Sequence, residues 1–238
     1  MPPVETPPAP PTAPCLSIIV IMLNEASSIH ARLAALAPLR DQGCELIVVD
    51  GGSRDDSVEQ ALPLADQLLV TSAGRAHQLN VGAMQANADY LLFLHADTQL
   101  PDDALIAIER GLSRHGWGRF DVRIDGCSRW LSLIGMMINL RSRLTGIATG
   151  DQAIFMTHDW WKEVGGFPEQ PLMEDIEISR CLKRLGAPAC LSVQVVTDGR
   201  RWEQHGVFTT IWLMWRLRWR YWRGTDPAQL AREYRDVR

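Results

Sequence analysis

Residues 16–25 read Leu-Ser-Ile-Ile-Val-Ile-Met-Leu-Asn-Glu, a β-branched apolar run that stops at two polar residues. A run without polar alternation is what a strand buried on both faces requires, and such strands belong to parallel sheets. Residues 45–53, Glu-Leu-Ile-Val-Val-Asp-Gly-Gly-Ser, and 90–98, Tyr-Leu-Leu-Phe-Leu-His-Ala-Asp-Thr, repeat the form. Between them lie stretches with helical spacing. Residues 27–39 put Ile29, Leu33 and Leu36 on one face, and residues 55–64 and 76–87 also read as helices. Residues 67–71 supply a short strand, and Pro101 opens a helix to about residue 113. Strand and helix alternating at short spacing predict a doubly wound, mostly parallel α/β sheet.

Beyond Trp117 the alternation gives way to a mixed region. Strands are expected at 120–124 and 153–156, with helices at 130–144, about 176–185 and 208–223. Residues 1–14 hold seven of the fourteen prolines and read as a disordered tail. Residues 15–238 then form one domain, ending in amphipathic helices over 206–238. With 46% apolar residues among 238, disorder of the whole chain is excluded. The apolar runs fall short of the roughly 20 residues that a membrane-spanning helix needs. The N-terminus lacks a signal-peptide pattern. Cys15, Cys44, Cys127, Cys181 and Cys190 form no C-x-x-C pair, which predicts free thiols in a cytoplasmic protein.

In open parallel sheets, ligands sit beyond the carboxyl ends of the strands. Three strands here end in polar residues: Asn24-Glu25, Asp50 to Ser53, and His95 to Thr98. Each set has a plainer reading, since Asp50 or Ser53 can cap the next helix. Together they favour a ligand site. Neither G-x-G-x-x-G after the first strand nor G-x-x-x-x-G-K-[ST] is present, which argues against dinucleotide and P-loop cradles. Asp97 beside His95 can instead hold Mg²⁺ or Mn²⁺ bridged to substrate phosphates.

These three segments resemble the core of glycosyltransferase family 2, of GT-A type, a Rossmann-like fold. Gly74-Arg-Ala-His-Gln-Leu-Asn80, Thr149-Gly-Asp-Gln152, Met173-Glu-Asp-Ile-Glu177 and Arg200-Arg-Trp-Glu203 are similar to a poorly characterised bacterial branch of it. The resemblance runs from residue 16 to about 235. It implies a nucleotide-sugar-binding half over 15–115 and an acceptor and catalytic half over 116–205. Glu25, Asp50 and Ser53 would serve the nucleotide, Arg75 the nucleotide or its diphosphate, and Asp97 the metal. His95 replaces the first Asp of the family's D-x-D and is a second metal candidate. Asp175 matches the general base. Asp151, Gln152, Glu174, Arg201 and Trp202 fall on the acceptor side. Each of these has a structural alternative: loop support for Asp151 and Gln152, a helix N-terminus for Glu174, packing for Arg201 and Trp202. His205 receives no role. The implied activity is inverting transfer of one sugar from a UDP- or GDP-sugar to a hydroxyl acceptor, lipid-linked or not. Asp198-Gly-Arg-Arg-Trp202 stands where processive synthases have Q-x-x-R-W, and the lost Gln argues for a single transfer. Two rivals remain. A nucleotidyltransferase needs a basic phosphate loop that residues 21–25 lack. A nucleotide-binding, membrane-associated protein without turnover is compatible with His95.

Trp212, Trp215, Trp219 and Trp222 recur at helical intervals and share one stripe about 80° wide. Arg216, Arg220 and Arg223 flank one side and Arg218 the other; Leu213, Met214, Leu217 and Tyr221 form a separate apolar face. The net charge of −4 hides a split, −9 over residues 1–199 and +5 over 200–238. A helix with two apolar faces needs two partners. The second is a neighbouring element, another subunit in a homodimer, or the inner face of a membrane with tryptophan at headgroup level. The acidic body and the lack of any binding motif argue against nucleic acid.

Overall fold

β1 (Ser17–Met22) lies between β2 (Glu45–Asp50) and β4 (Tyr90–His95) and pairs with both in parallel. All six of its residues are buried. Ile18, Val20 and Met22 enter one core with Ile29, Leu33, Ala61 and Ile108. Ile19 and Ile21 enter a second core with Ala76, Leu79, Ala83, Ile178 and Leu182. Strand geometry sends successive side chains to opposite faces, so one apolar run feeds both cores. The computed structural model describes residues 13–200, 202 and 206–236. The expected tail lies almost wholly outside the described residues, as do Arg201 and His205.

The full sheet has eight strands in the order β3-β2-β1-β4-β7-β6-β8-β5. β3 is Gln67–Val70, β5 Thr98–Gln99, β6 Trp117–Asp125, β7 Phe155–Thr157 and β8 Ala189–Asp198. The first four are parallel, as expected, and the strand order reverses between β1 and β4, the place where a crevice opens. β7 runs antiparallel to β4 and β6, while β8 is parallel to β6 and antiparallel to β5. The fold is α/β with a mixed, mostly parallel sheet.

Two expected helices are broken, each at a proline. Residues 27–39 form Ile29–Ala34 and Ala37–Asp41, with Pro38 in the first turn of the second. Residues 55–64 form Ser57–Ala61 and then a tight turn, Leu62–Leu64, around Pro63. A proline has no N–H to continue a helical ladder and fits only near a start. Further helices are Arg75–Gln85, Ala104–Leu112, Trp130–Thr145, His158–Val164, Glu174–Leu185, Val207–Trp222 and Pro227–Asp236.

The last two helices form a hairpin away from the sheet. Leu213, Leu217, Leu230, Ala231 and Tyr234 pack onto Leu172, Met173 and Ile176. The hairpin therefore covers the chain that leads into helix Glu174–Leu185. Arg216 donates to Glu233 at 2.7 Å, Arg220 pairs with its other oxygen, and the Tyr221 hydroxyl donates to Glu177 at 2.9 Å. Among the described residues, no helix is long and apolar enough to cross a membrane.

Candidate active site

The loops after β1 and β2 are stitched to each other. Asp50, 1% exposed, accepts from the Gly52 and Ser53 amides at 2.8 Å each and from the Ser53 hydroxyl. Ser53 Oγ accepts from the Asn24 amide at 2.8 Å, and Asn24 Oδ1 from the Arg54 amide at 2.9 Å. Asn24 adopts a left-handed conformation, φ 54°, that brings its side chain across. The Glu25 amide donates to Ser57 Oγ, and Glu25 Oε2 accepts from the Ser28 hydroxyl at 3.1 Å. Neither residue caps the next helix, Ser57–Ala61, whose N-cap position Asp56 carries no side-chain bond. The Asp50 and Ser53 oxygens are engaged within this loop and with the loop after β1. Glu25 stays half-buried beside them.

The segment Gly74 to Asn80 also divides by role. Gln78, in helix Arg75–Gln85, donates to the carbonyls of Met22 and Val49 at 3.0 and 2.9 Å, clamping the ends of β1 and β2. A Cβ on Gly51 would stand 3.0 Å from the Gln78 amide oxygen, so glycine there leaves the clamp its space. Asn80 exchanges two hydrogen bonds with the Phe167 backbone. Arg75, by contrast, turns to the edge of a cleft, where its guanidinium lies 3.7 Å from Oε1 of the lining residue Glu174.

Phe93, His95, Gly150, Phe167, Glu174 and Asp175 line that cleft. Glu174 and Asp175 occupy the first turn of their helix, entered through Met173 at φ 67°. Acidic residues are favoured there, which satisfies the plainer reading of Glu174. It does not describe the electrostatics. Glu174 is 3% exposed, and its Oε2 is buried without a hydrogen-bond partner. Asp175 accepts from the Gly150 amide at 3.1 Å and from its neighbour Ile176 at 2.8 Å. Burial, reinforced by Glu174, pushes the Asp175 carboxyl up to about 6 despite those two bonds and Arg75. Burial works against the charge of Arg75, but Glu174, Tyr234, Asp151 and Asp175 outweigh it and hold the guanidinium ionised.

His95 Nδ1 is 3.7 Å from Asp151 Oδ1, and the ring packs so closely on Gly150 that a side chain there would collide with it. Gln152 corrects the sequence-based expectation of an acceptor contact. It is fully buried, closes a capping box with Thr149, and reaches the Phe120 carbonyl and Asn139 at 3.4 Å. Trp202 likewise packs on the cluster of Ile124, Leu131 and Ile134, its structural alternative.

One residue was missed. Arg141, in helix Trp130–Thr145, has Nε and Nη2 buried without partners. Burial weakens its charge, Asp175 supports it and Arg119 opposes it. The signal in the sequence was a cluster, Asn139-Leu-Arg-Ser-Arg143, inside an otherwise apolar helix.

Residues 17–157, more than half of the chain, match the family model for Glycosyl transferase family 2. The chain belongs to that family. It is 34% identical over 111 residues to a PGL/p-HBAD biosynthesis glycosyltransferase of Mycobacterium bovis, covering 43% of each chain. It is 28% identical over 95 residues to a poly-beta-1,6-N-acetyl-D-glucosamine synthase of Staphylococcus aureus, or 37% of this chain and 23% of that one. The chain thus spans less than half the length of these curated relatives. Among solved structures, it resembles the mannosyltransferase PcManGT from Pyrobaculum calidifontis in complex with GDP-Man and Mn²⁺. The TM-score is 0.59 at 21% identity, over 78% of this chain and 57% of that one. For TarS 1–349 of S. aureus in complex with UDP-GlcNAc the TM-score is 0.60 at 20% identity, over 77% and 58%. The fold is therefore GT-A-like.

In this family 2 member, no group of three or more His, Cys, Asp or Glu among the described residues converges to hold a metal alone. Asp97 is half-buried at the strand end, and its Oδ1 meets the Thr98 hydroxyl at 3.3 Å. One carboxylate at the strand ends fits a cation that takes most of its ligands from phosphates and water.

Proposed function

We propose that this family 2 member transfers a single sugar, with inversion, from a nucleotide-sugar donor to a hydroxyl acceptor, with Asp175 as the general base. The observation that carries this reading is the placement of Asp175. Its carboxylate is fixed by two amides, lines the cleft at the end of β4, and is pushed up to about 6 by burial and Glu174. A base with an elevated pKa accepts a proton more readily, and about 6 leaves it ionised at pH 7.

The acceptor hydroxyl donates to Asp175. As its oxygen bonds to the anomeric carbon, the proton passes to the carboxylate and the bond to the diphosphate breaks. Arg75 lies at the edge of the cleft, charged and anchored by Glu174, placed to draw in the anionic donor. Arg141 adds a second cation near Asp175. A divalent cation, Mg²⁺ or Mn²⁺, would be held by Asp97 together with donor phosphates, with His95 beside it, and would neutralise charge on the leaving diphosphate. Glu25 is the donor-side residue on the first loop; Asp50 and Ser53 act by holding that loop in place. Asp151, 46% exposed, is the polar residue offered to the acceptor. Donors of the UDP and GDP classes are in scope, since the similar solved structures bind GDP-Man and UDP-GlcNAc.

The test is a panel of UDP- and GDP-sugars with Mn²⁺ or Mg²⁺. At least one raises the melting temperature and is slowly hydrolysed, and proton NMR finds the released sugar with inverted anomeric configuration. Binding without hydrolysis or transfer would return the chain to the non-catalytic reading, and no binding at all would remove the donor assignment.

A further inference from the structure

The tryptophans of helix Val207–Trp222 remain uncovered in the fold. Trp212, Trp215, Trp219 and Trp222 are 58–71% exposed, and Phe208, on the same stripe, is 67% exposed. The opposite face, with Leu213 and Leu217, is the one buried in the hairpin. Helix Trp130–Thr145 repeats the arrangement. Leu131, Ile134, Asn139 and Ser142 face inward, while Leu133, Met136, Met137, Leu140 and Leu144 stand 40–78% exposed. At about 100° per residue these five lie within one third of the helix circumference. The two faces meet where the Trp130 and Phe208 rings pack edge to face, 5.6 Å apart.

Eleven exposed large apolar side chains on two adjoining helices exceed what a soluble surface ordinarily shows. The charges that the two helices themselves carry are of one sign, although Arg216 and Arg220 share Glu233, Arg143 pairs with Asp121, and two nitrogens of Arg141 are buried. Residues 128–145 and 207–223 contain seven arginines and no Asp or Glu, although the chain as a whole is acidic. Arg216 lies over the Trp212 ring at 5.0 Å and Arg223 over Trp219 at 5.3 Å, so cations border the aromatic stripe.

We propose that the exposed faces of these two helices together dock this protein on a lipid bilayer carrying anionic headgroups. Tryptophan suits the boundary between headgroup and acyl chain, methionine and leucine the layer beneath, and arginine the anionic headgroups. Helix Trp130–Thr145 then has a lipid side and a side toward the cleft, for the same helix bears Arg141 near Asp175. Such an orientation presents the cleft to a lipid-linked acceptor. That last step rests on the transferase reading; the docking does not.

Flotation of the full chain without donor or metal tests the docking alone. The vesicles are phosphatidylcholine, with and without about 30% phosphatidylglycerol. The chain floats with the anionic vesicles and much less with the neutral ones. Trp215→Ser/Trp219→Ser lowers the partition on the order of tenfold, Leu140→Ser/Leu144→Ser lowers it through the other helix, and Arg218→Gln/Arg223→Gln removes the preference for anionic lipid. These side chains are on the surface, so circular dichroism and the melting temperature stay at wild-type values; if one pair fails to fold, the other carries the test. A chain that stays unbound with both vesicles overturns the proposal. So does a dimer in sedimentation that the tryptophan pair dissociates, since the face then belongs to a second copy. Equal partition into both vesicles overturns the anionic component.

Discussion

Around Asp50 the carboxylate oxygens meet donors from their own loop, and Ser53, Asn24 and Ser57 tie that loop to its neighbour. Around Asp175 the balance is different: Glu174 Oε2 and two nitrogens of Arg141 are buried without partners. Both regions lie beyond strand ends, and both were singled out by the same kind of polar motif. A buried unpaired polar group costs about 1–3 kcal/mol, and folded proteins hold few of them. The difference separates a part of the edge that is finished without a ligand from a part that a ligand would complete.

The largest expected effect lies at Asp175. Asp175→Asn lowers transfer by about 10²–10⁴-fold while donor affinity, read by calorimetry, stays near wild type. Asp50→Asn, which disturbs a loop rather than a proton transfer, moves turnover far less. Equal losses in kcat from the two variants would break the comparison.

The pH dependence of the same residue follows from its raised pKa. Turnover needs the ionised base, so kcat climbs with pH through about 6 and then levels. Stability runs the other way. A carboxyl raised from 3.8 to about 6 favours the protonated folded form. That contribution is fully present below about pH 4 and is lost as pH rises through about 6. Asp175→Asn therefore raises the melting temperature at pH 7.5 more than at pH 4.5, which differential scanning calorimetry at the two pH values measures.

On the finished side, Gln78→Leu removes the buried side-chain donor that the Met22 and Val49 carbonyls share, the Met22 carbonyl keeping only the Gly51 amide. Unfolding in urea would register a loss of about 1–3 kcal/mol. If stability is unchanged, water replaces the clamp, and the two strand ends are less closed than their hydrogen bonds imply.

How far the sequence reveals these regions depends on what kind of residue forms them. β1, β2 and β4 were legible because a strand buried on both faces is a continuous apolar run with few competing readings. β8 was not, for its Ser192, Gln194 and half-buried positions give no clean alternation; nor was β5, only two residues long. Asp175 was singled out through its motif. Gln152, four residues beyond Ala148 in an equally suggestive motif, points into the core, and only the closing of the Thr149 turn reveals that direction. Arg141 was only half legible: the polar cluster 139–143 marks its segment, but what sets it apart is what it fails to touch, and missing partners have no signature along the chain. In Gly74 to Asn80, periodicity does not distinguish the clamp residue Gln78 from Arg75 at the cleft.

The smallest effect bears most directly on the comparison. Ser53→Ala removes the hydroxyl that donates to Asp50 and accepts from the Asn24 amide. Asn24 is exposed and recovers a partner in water, so the loss is about 1 kcal/mol of stability. If the loop after β2 is complete in itself, donor affinity changes by less than about threefold, under 1 kcal/mol of binding. Calorimetric titration with the donor that the panel identifies measures this. A fall of about tenfold or more would mean that Ser53 reaches the nucleotide after all. The loop hydrogen bonds would then be the resting arrangement of a binding residue, and satisfied partners would no longer distinguish scaffold from site.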